Sequence, residues 1–196
     1  MKKRTTMLAL LLATGAGTCL QAQEKLTQFK VRDAITVRTP IMNDSINPKG
    51  EKYADKDLLK TPVVLDLADA PFQVLSTDTA GVLSFPKAEK DHSIYLLETS
   101  LRAERFMTGK LKVTSPARWE IFINGESKMS KENAEDSISG ASTREVNLRL
   151  EPEADYEITI KLLSGSKDKA VPTLKCELIK DDKFKDITCF VSCLLY

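Results

Sequence analysis

The side chains that most often carry out catalysis lack suitable neighbours in this 196-residue sequence. The single histidine, His92, lies just before an apolar run, and no Gly-x-Ser-x-Gly motif supplies a nucleophile for it to activate. We therefore interpret His92 as a turn or surface residue and predict no catalytic residue. The glycine patterns of phosphate-binding and dinucleotide-binding loops are also absent, so we expect no cofactor.

Cysteines could bind a metal or form a disulfide. Three of them, Cys176, Cys189 and Cys193, lie in the last part of the chain. Cys189 and Cys193 lack the second Cys/His pair that would complete a tetrahedral site, so we predict no metal site. An odd number of cysteines allows one disulfide and one free thiol in an oxidising compartment, and buried free thiols are the alternative.

Two aromatic residues are candidates for stacking against a ligand. Trp119 is the only tryptophan, and Tyr95 lies in another apolar run. Alternation along a strand places Trp119 on the same face as Ile121 and Ile123, which predicts that its ring packs in the core. An exposed platform for a sugar ring, formed by Trp119 or Tyr95, is the alternative.

Three Asp-(Ser/Thr)-apolar tripeptides contain candidate modification sites, at Ser45, Thr79 and Ser137. The pattern is similar to the acceptor of O-glycosylation in secreted proteins of some Gram-negative bacteria. Because Asp-Ser and Asp-Thr favour turns, a purely structural role is the alternative.

Residues 1–22 have the three parts of a secretory signal peptide. A basic start at residues 2–4 precedes an apolar core at residues 7–13, and small residues lead to a predicted cleavage after Ala22. The apolar core is too short to span a bilayer as a helix, and no later apolar run reaches that length. We predict export to the periplasm or the extracellular space, and a lipoprotein acylated at Cys19 is the alternative.

The charge balance excludes one class of partner. The chain has 29 Lys+Arg and 28 Asp+Glu, whereas a nucleic-acid-binding protein carries a strong basic excess. The part that follows the signal peptide is about one domain long. A domain of that size buries a sufficient core without disulfides.

The periodicity of apolar residues divides this part into three segments. Residues 23–60 are polar and turn-rich, and we expect an irregular lead-in with a short helix around residues 54–60. Residues 61–185 repeat with period two in short runs, which is typical of antiparallel strands with one buried face. We predict an all-β, jelly-roll-like antiparallel sandwich of about seven to ten strands, with strands near residues 63–67, 72–76, 82–85, 94–101, 106–113, 119–123, 146–150, 156–162 and 174–178.

One hairpin and one loop can be placed more closely. Asn124-Gly125 between alternating apolar residues predicts a type I′ turn, because both central positions of that turn need positive φ. The predicted cross-strand pairs are Phe122 with Ser127 and Ile121 with Lys128. The polar stretch 129–142 is predicted to be a surface loop, or a helical turn over residues 131–136.

The last segment, residues 186–196, is almost wholly apolar. It is either a final strand docked on a sheet or the undocked end of a truncated chain. We predict the second case, in which the segment is an exposed edge prone to association.

Two resemblances suggest a function. The sequences "LKVTSPARWEIFINGES" and "VNLRLEPEADYEITIKLLS" resemble the galactose-binding-like jelly rolls attached to extracellular hydrolases. The longer stretch that begins at "TVRTPIMNDSINPKGEKYADKDLL" is similar to the region before the propeller in secreted prolyl-oligopeptidase-family serine peptidases of Gram-negative bacteria. The catalytic triad of that family matches no residue here.

These resemblances imply an exported, non-catalytic accessory module. Such a module would dock onto a propeller or peptidase domain, or onto another protein chain. A free-standing carbohydrate-binding module, with a glycan as its partner, is the alternative.

Overall fold

The computed structural model describes residues 23–37, 46, 49–51, 53–66, 71–89 and 91–192. Within these ranges the chain forms thirteen strands, one short α-helix and a 3₁₀-helix at Asp182–Phe184. The elements are β1 (Gln23–Lys25), β2 (Gln28–Arg32), β3 (Ile35–Val37), α1 (Asp55–Leu59), β4 (Phe72–Ser76), β5 (Val82–Ser84), β6 (His92–Ala103), β7 (Met107–Thr114), β8 (Arg118–Ile123), β9 (Glu126–Lys131), β10 (Thr143–Leu150), β11 (Asp155–Gly165), β12 (Thr173–Lys180) and β13 (Cys189–Ser192).

The strands form two antiparallel sheets, which confirms the predicted all-β sandwich. Sheet A has the order β1-β12-β7-β10, and β5 pairs with β12 on the edge that β1 also uses. Sheet B has the order β4-β2-β6-β11-β8-β9. Three separate strands, β3, β2 and β13, share the edge of β6 that β11 leaves free.

The main core lies between the two sheets. In β7 and β10 burial alternates residue by residue, so the period seen in the sequence is the period of burial. Leu111 and Val113 point into the core from β7, while Lys110 and Lys112 point to solvent.

A second, smaller apolar cluster lies on the outer face of sheet B. Leu58 and Leu59 of α1 pack there against Ile94 of β6 and Leu163 of β11. This cluster holds α1 and the chain that follows it against the sheet.

Residues 23–37 contribute more to the sandwich than the expected lead-in would. They supply β1 to sheet A and β2 and β3 to sheet B, and Leu26, Phe29 and Val31 are buried in the main core. These strands are only three to five residues long, and because they lie in a polar, turn-rich segment their period is not recognised. The expected helix is present as α1, and the domain boundaries stay predictions.

Two local predictions are wrong. The strand predicted at residues 63–67 is absent over the described residues 63–66, where Val63 instead packs on the second cluster as irregular chain. The predicted surface loop 129–142 begins only at residue 132, because residues 129–131 belong to β9, and the alternative helical turn at residues 131–136 is absent.

The hairpin of β8 and β9 has the predicted turn. The φ angles of Asn124 and Gly125 are 51° and 75°, as a type I′ turn requires. Phe122 lies opposite Ser127 as predicted, but Ile121 lies opposite Met129 rather than Lys128. The difference is a β-bulge, which places one extra residue in β9.

The apolar tail is docked, so the predicted exposed edge is wrong for residues 187–192. Cys189–Ser192 pairs with β6, and Ile187 and Cys189 are buried in the main core. Residues 193–196 and the predicted signal peptide lie outside the described residues. Among the described residues, no helix is long and apolar enough to cross a membrane.

Candidate functional site

Neither predicted stacking residue offers its ring to a ligand. The exposed fraction of Trp119 is 0%, and its ring lies in the main core. Tyr95 is 6% exposed, its ring centroid is 4.8 Å from that of Phe85, and its hydroxyl donates to the Pro86 carbonyl at 2.7 Å. Burial also raises the pKa of the Tyr95 phenol. The platform interpretation of both residues is therefore corrected, because both point inward from their strands.

The candidate modification sites differ in what the structure shows. Thr79 and Ser137 are exposed. Thr79 lies in a tight turn in which Gly81 N–H donates to the Asp78 carbonyl at 2.9 Å, and the Val82 N–H donates to the Asp78 side chain. Ser45 lies outside the described residues. Modification at these positions stays a prediction.

Two of the three cysteines are buried free thiols. Burial raises the pKa of Cys189 to about 11 and raises that of Cys176 further. Both thiols are therefore protonated at neutral pH and are poor nucleophiles or metal ligands. Cys193 lies outside the described residues, and a disulfide that includes it stays a prediction.

His92 belongs to a polar cluster rather than to an exposed turn. Its side chain is 15% exposed, and its Nε2 lies 3.2 Å from Asp55 Oδ1 of α1. Arg118 Nη1 donates to both carboxylate oxygens of Asp168 at 2.9 Å, and its Nη2 donates to Asp55. Asp168 also accepts the Gly165 N–H at 2.7 Å. These contacts tie α1 to sheet B.

The best candidate site is a groove beside that helix, on the outer face of sheet B. Its volume is about 260 Å³, and it lies between the chain after α1 and strands β8 and β11. We call it the sheet B groove, and its lining residues are Lys60, Thr61, Pro62, Val63, Leu65, Glu120, Phe122 and Lys161.

The floor of the sheet B groove comes from the polar side of two strands. Glu120 and Phe122 point outward from β8 because Trp119, Ile121 and Ile123 point inward. Phe122 is half-buried, so part of its ring faces the groove. The one signal for this site in the sequence was Phe122, an aromatic residue at an outward position of β8.

A buried charge lies beside that ring. Lys161 of β11 is 3% exposed, lies opposite Glu120, and donates to the Thr61 carbonyl. Burial lowers the pKa of the Lys161 ammonium, and Glu120 opposes this shift. Glu120 also accepts a hydrogen bond from the Ser127 hydroxyl at 2.7 Å, so both groups are held on strands.

The lysine at the rim of the groove is paired with a carboxylate. Lys60 forms an exposed ion pair with Glu132, at 3.4 Å between Nζ and Oε1. Together with Lys161 and Glu120, this gives two cations and two carboxylates. The groove therefore offers an aromatic surface and hydrogen-bonding groups of both kinds, and each of its two lysines has a carboxylate neighbour.

Two other depressions have less suitable walls. One is lined mainly by exposed residues of the loop 181–184, and the other by residues of 23–24, 180 and 185–189. Loops hold a binding geometry less firmly than strands do, and half of the lining of the second depression, residues 185–188, is also a loop. Among the described residues, no group of three or more His, Cys, Asp or Glu side chains could hold a metal ion.

Comparison with known proteins supports no assignment to a family. No family model and no curated protein matches the sequence. Among solved structures, the chain is similar to a β-glucosidase from Kluyveromyces marxianus in complex with glucose, at 12% identity and a TM-score of 0.44 over 81% of this chain and 16% of that one. It spans about a sixth of the length of that enzyme.

Two shorter proteins match over most of their own length. The PA14 sugar-binding domain from an RTX adhesin shows 10% identity and a TM-score of 0.42 over 86% of this chain and 96% of that one. A family 35 carbohydrate-binding module from an environmental isolate shows 13% identity and a TM-score of 0.36, over 64% and 85%. Similarities of this size carry no argument about function. No family model and no curated protein supports the resemblance to the prolyl-oligopeptidase family.

Proposed function

We propose that this protein is a non-catalytic glycan-binding module and that the sheet B groove holds the terminal sugar of a neutral glycan. The observation that carries the proposal is the outward ring of Phe122 beside the cross-strand pair of Glu120 and the buried Lys161. The apolar face of a sugar ring packs on an aromatic side chain, while its hydroxyls need both donors and acceptors. Phe122 offers the first, and the two charged groups offer the second.

The size and charge of the groove narrow the ligand class. Small-molecule pockets usually exceed about 300 Å³, so a volume of about 260 Å³ suits one terminal unit rather than a long chain segment. The paired charges at the rim and floor favour a neutral sugar over an acidic one. The rest of the glycan would extend over the rim near Lys60.

Binding is tested by titrating the protein with neutral oligosaccharides that end in glucose, galactose, mannose or xylose. We expect one of these probes to shift the backbone NMR signals of Phe122, Glu120 and Lys161. Phe122→Ala should weaken that binding at least tenfold, because it removes the stacking surface. Phe190→Ala is the matched control, since Phe190 is 56% exposed and lies away from the groove. Binding that survives Phe122→Ala, or no binding of any probe, would contradict the proposal.

We further propose that the chain is exported and works as an accessory to a larger assembly. The signal-like residues 1–22 motivate the first part, and the sequence resemblance to pre-propeller regions motivates the second. Sequencing the gene beyond the codon of Tyr196 tests the second part. A propeller followed by a Gly-x-Ser-x-Gly motif would support a peptidase, whereas an unrelated continuation or a stop codon would contradict it.

A further inference from the structure

The edges of the two sheets differ in how well they are protected against pairing with another strand. An unpaired edge exposes backbone donors and acceptors, and natural proteins protect it with charges, bulges or very short strands. In sheet A, β10 carries Arg144, Glu145 and Arg149, and β1 and β5 have only three residues each. In sheet B, β9 carries three charged residues and a bulge.

The edge strand β4 has none of these features. Its sequence, Phe72-Gln-Val-Leu-Ser76, is the longest uncharged edge among the described strands. It pairs with β2 on one side, and no described residue pairs with it on the other. Phe72 and Val74 are 41% and 44% exposed, and both lie on the outer face together with Lys30.

We propose that β4 pairs with β4 of a second copy of this chain, antiparallel and about a two-fold axis through Val74. In that register Val74 lies opposite its symmetry mate, and Phe72 lies opposite Ser76 of the other copy. The pairing is self-complementary, so it closes as a dimer and leaves no free β4 edge. Sheet B would become continuous across the two copies.

The charges near β4 fit this occupant. Like charges that face each other across a strand pair are destabilising. Strand β4 has no charged residue, so the pairing of two β4 strands places no such charges opposite each other. Arg32 of β2 lies opposite Phe72 of β4. In the dimer, the residues that lie side by side across the strands would continue from Phe72 to Ser76 and then to Gln28 of the second copy, and neither of these is charged. Lys30 lies opposite Val74, but its Nζ is 3.6 Å from Glu98 Oε1, so its charge is balanced within its own copy. A basic or acidic partner strand would find no complementary charge on β4 itself.

The dimer is tested by analytical ultracentrifugation of the full mature chain over a range of concentrations. We expect a monomer–dimer equilibrium, which Val74→Lys abolishes because it places two ammonium groups opposite each other. Val171→Lys is the matched control, since Val171 is 54% exposed on a loop, and it should leave the equilibrium unchanged. An equimolar mixture of Val74→Lys and Val74→Asp should restore the dimer, which a general loss of folding would not permit.

Hydrogen exchange of the unmodified chain gives an independent readout. The β4 amides that point away from β2 should become protected as the protein concentration rises, while amides of β10 should not change. A monomer at all concentrations, open-ended polymers, or a dimer that persists in Val74→Lys would overturn the proposal. Protection of β4 only when an unrelated strand peptide is added would also overturn it, in favour of a foreign partner.

Discussion

Trp119 provides a large part of the core at a single position. It is 0% exposed on β8 and lies with Ile121 and Ile123 on the inward face. We expect Trp119→Ala to lower the free energy of unfolding by about 3–5 kcal/mol, because it leaves a large cavity. Urea denaturation measures the change, and Phe190→Ala, on a half-exposed ring, should be near neutral. An equally small effect of both substitutions would contradict the core assignment.

Lys161 should make stability depend on pH in the alkaline range. Burial lowers its pKa in the folded state, so below its usual value of about 10.4 the unfolded chain binds more protons than the folded one. The contribution of Lys161 to the free energy of unfolding therefore rises as the pH rises from the pKa of Lys161 in the folded state to its pKa in the unfolded state. We expect Lys161→Met to be more stable than the unmodified protein at pH 7. The difference between their free energies of unfolding should become smaller by pH 10.

The comparison between the two chains is essential to that measurement. The raised pKa values of Cys176 and Cys189 act in the opposite direction, because unfolding releases thiols that ionise more readily. Both chains share this effect, so it cancels in the difference between their urea midpoints. A gap that stays constant or widens from pH 7 to pH 10 would contradict the role of Lys161.

Helix α1 is held to sheet B by an ion-pair cluster and an apolar contact. The side chains of Arg118 and Asp168 are 11% and 12% exposed. Removing one partner of a buried pair costs about 3–5 kcal/mol, and we expect Asp168→Ala to approach that cost in urea denaturation. Asp136→Ala is the matched control, because Asp136 and its partner Lys169 are both 74% exposed and such pairs contribute about 1 kcal/mol or less. Similar losses of unfolding free energy for the two substitutions would contradict a stabilising role of the ion pair between Arg118 and Asp168.

Strand β13 should be required for stability. It pairs with β6 over four residues, and Ile187 and Cys189 just before and within it are buried. We expect a chain that ends at Lys185 to melt well below the chain that ends at Tyr196, because the truncation exposes part of the core and one edge of β6. A thermal melt compares the two, and an equal or higher midpoint for the shorter chain would show that the tail contributes nothing.

The sequence predicts the strands with long alternation, and also the short strands β4 and β5, which turn residues separate. Strands β6, β7, β10 and β11 have eight to twelve residues each, so their period is visible without knowledge of their partners. The strands β1 and β3 have three residues, and they are strands only because β12 and β6 lie beside them. Local sequence contains no record of such partners.

The candidate site was missed for a related reason. Phe122 stands out in the sequence as an outward aromatic residue, but the wall opposite it is the chain after α1. That wall reaches sheet B through Leu58, Leu59 and the Thr61 carbonyl, whose contacts lie far away in the sequence. A groove formed by such crossing segments has no motif of fixed spacing.

The whole molecule has two unlike outer faces. That of sheet A carries solvated ion pairs such as Lys110 with Glu145, at 2.7 Å between Nζ and Oε2. That of sheet B carries α1, the sheet B groove and the exposed apolar side chains of β4. Both proposed binding surfaces therefore belong to sheet B, and a dimer through β4 would place two grooves on one continuous sheet.

The pairing of β1 with β12 also sets the order in which the molecule can form. Gln23 pairs with Ile179, so almost the whole described chain lies between two neighbouring strands. Contacts of such long range slow folding, and all-β sandwiches fold in about milliseconds to seconds. Stopped-flow fluorescence of Trp119 should show refolding on this timescale, and completion within microseconds would contradict it. During synthesis β1 has no β12 to pair with until residue 179 has emerged, so its edge stays open for that interval.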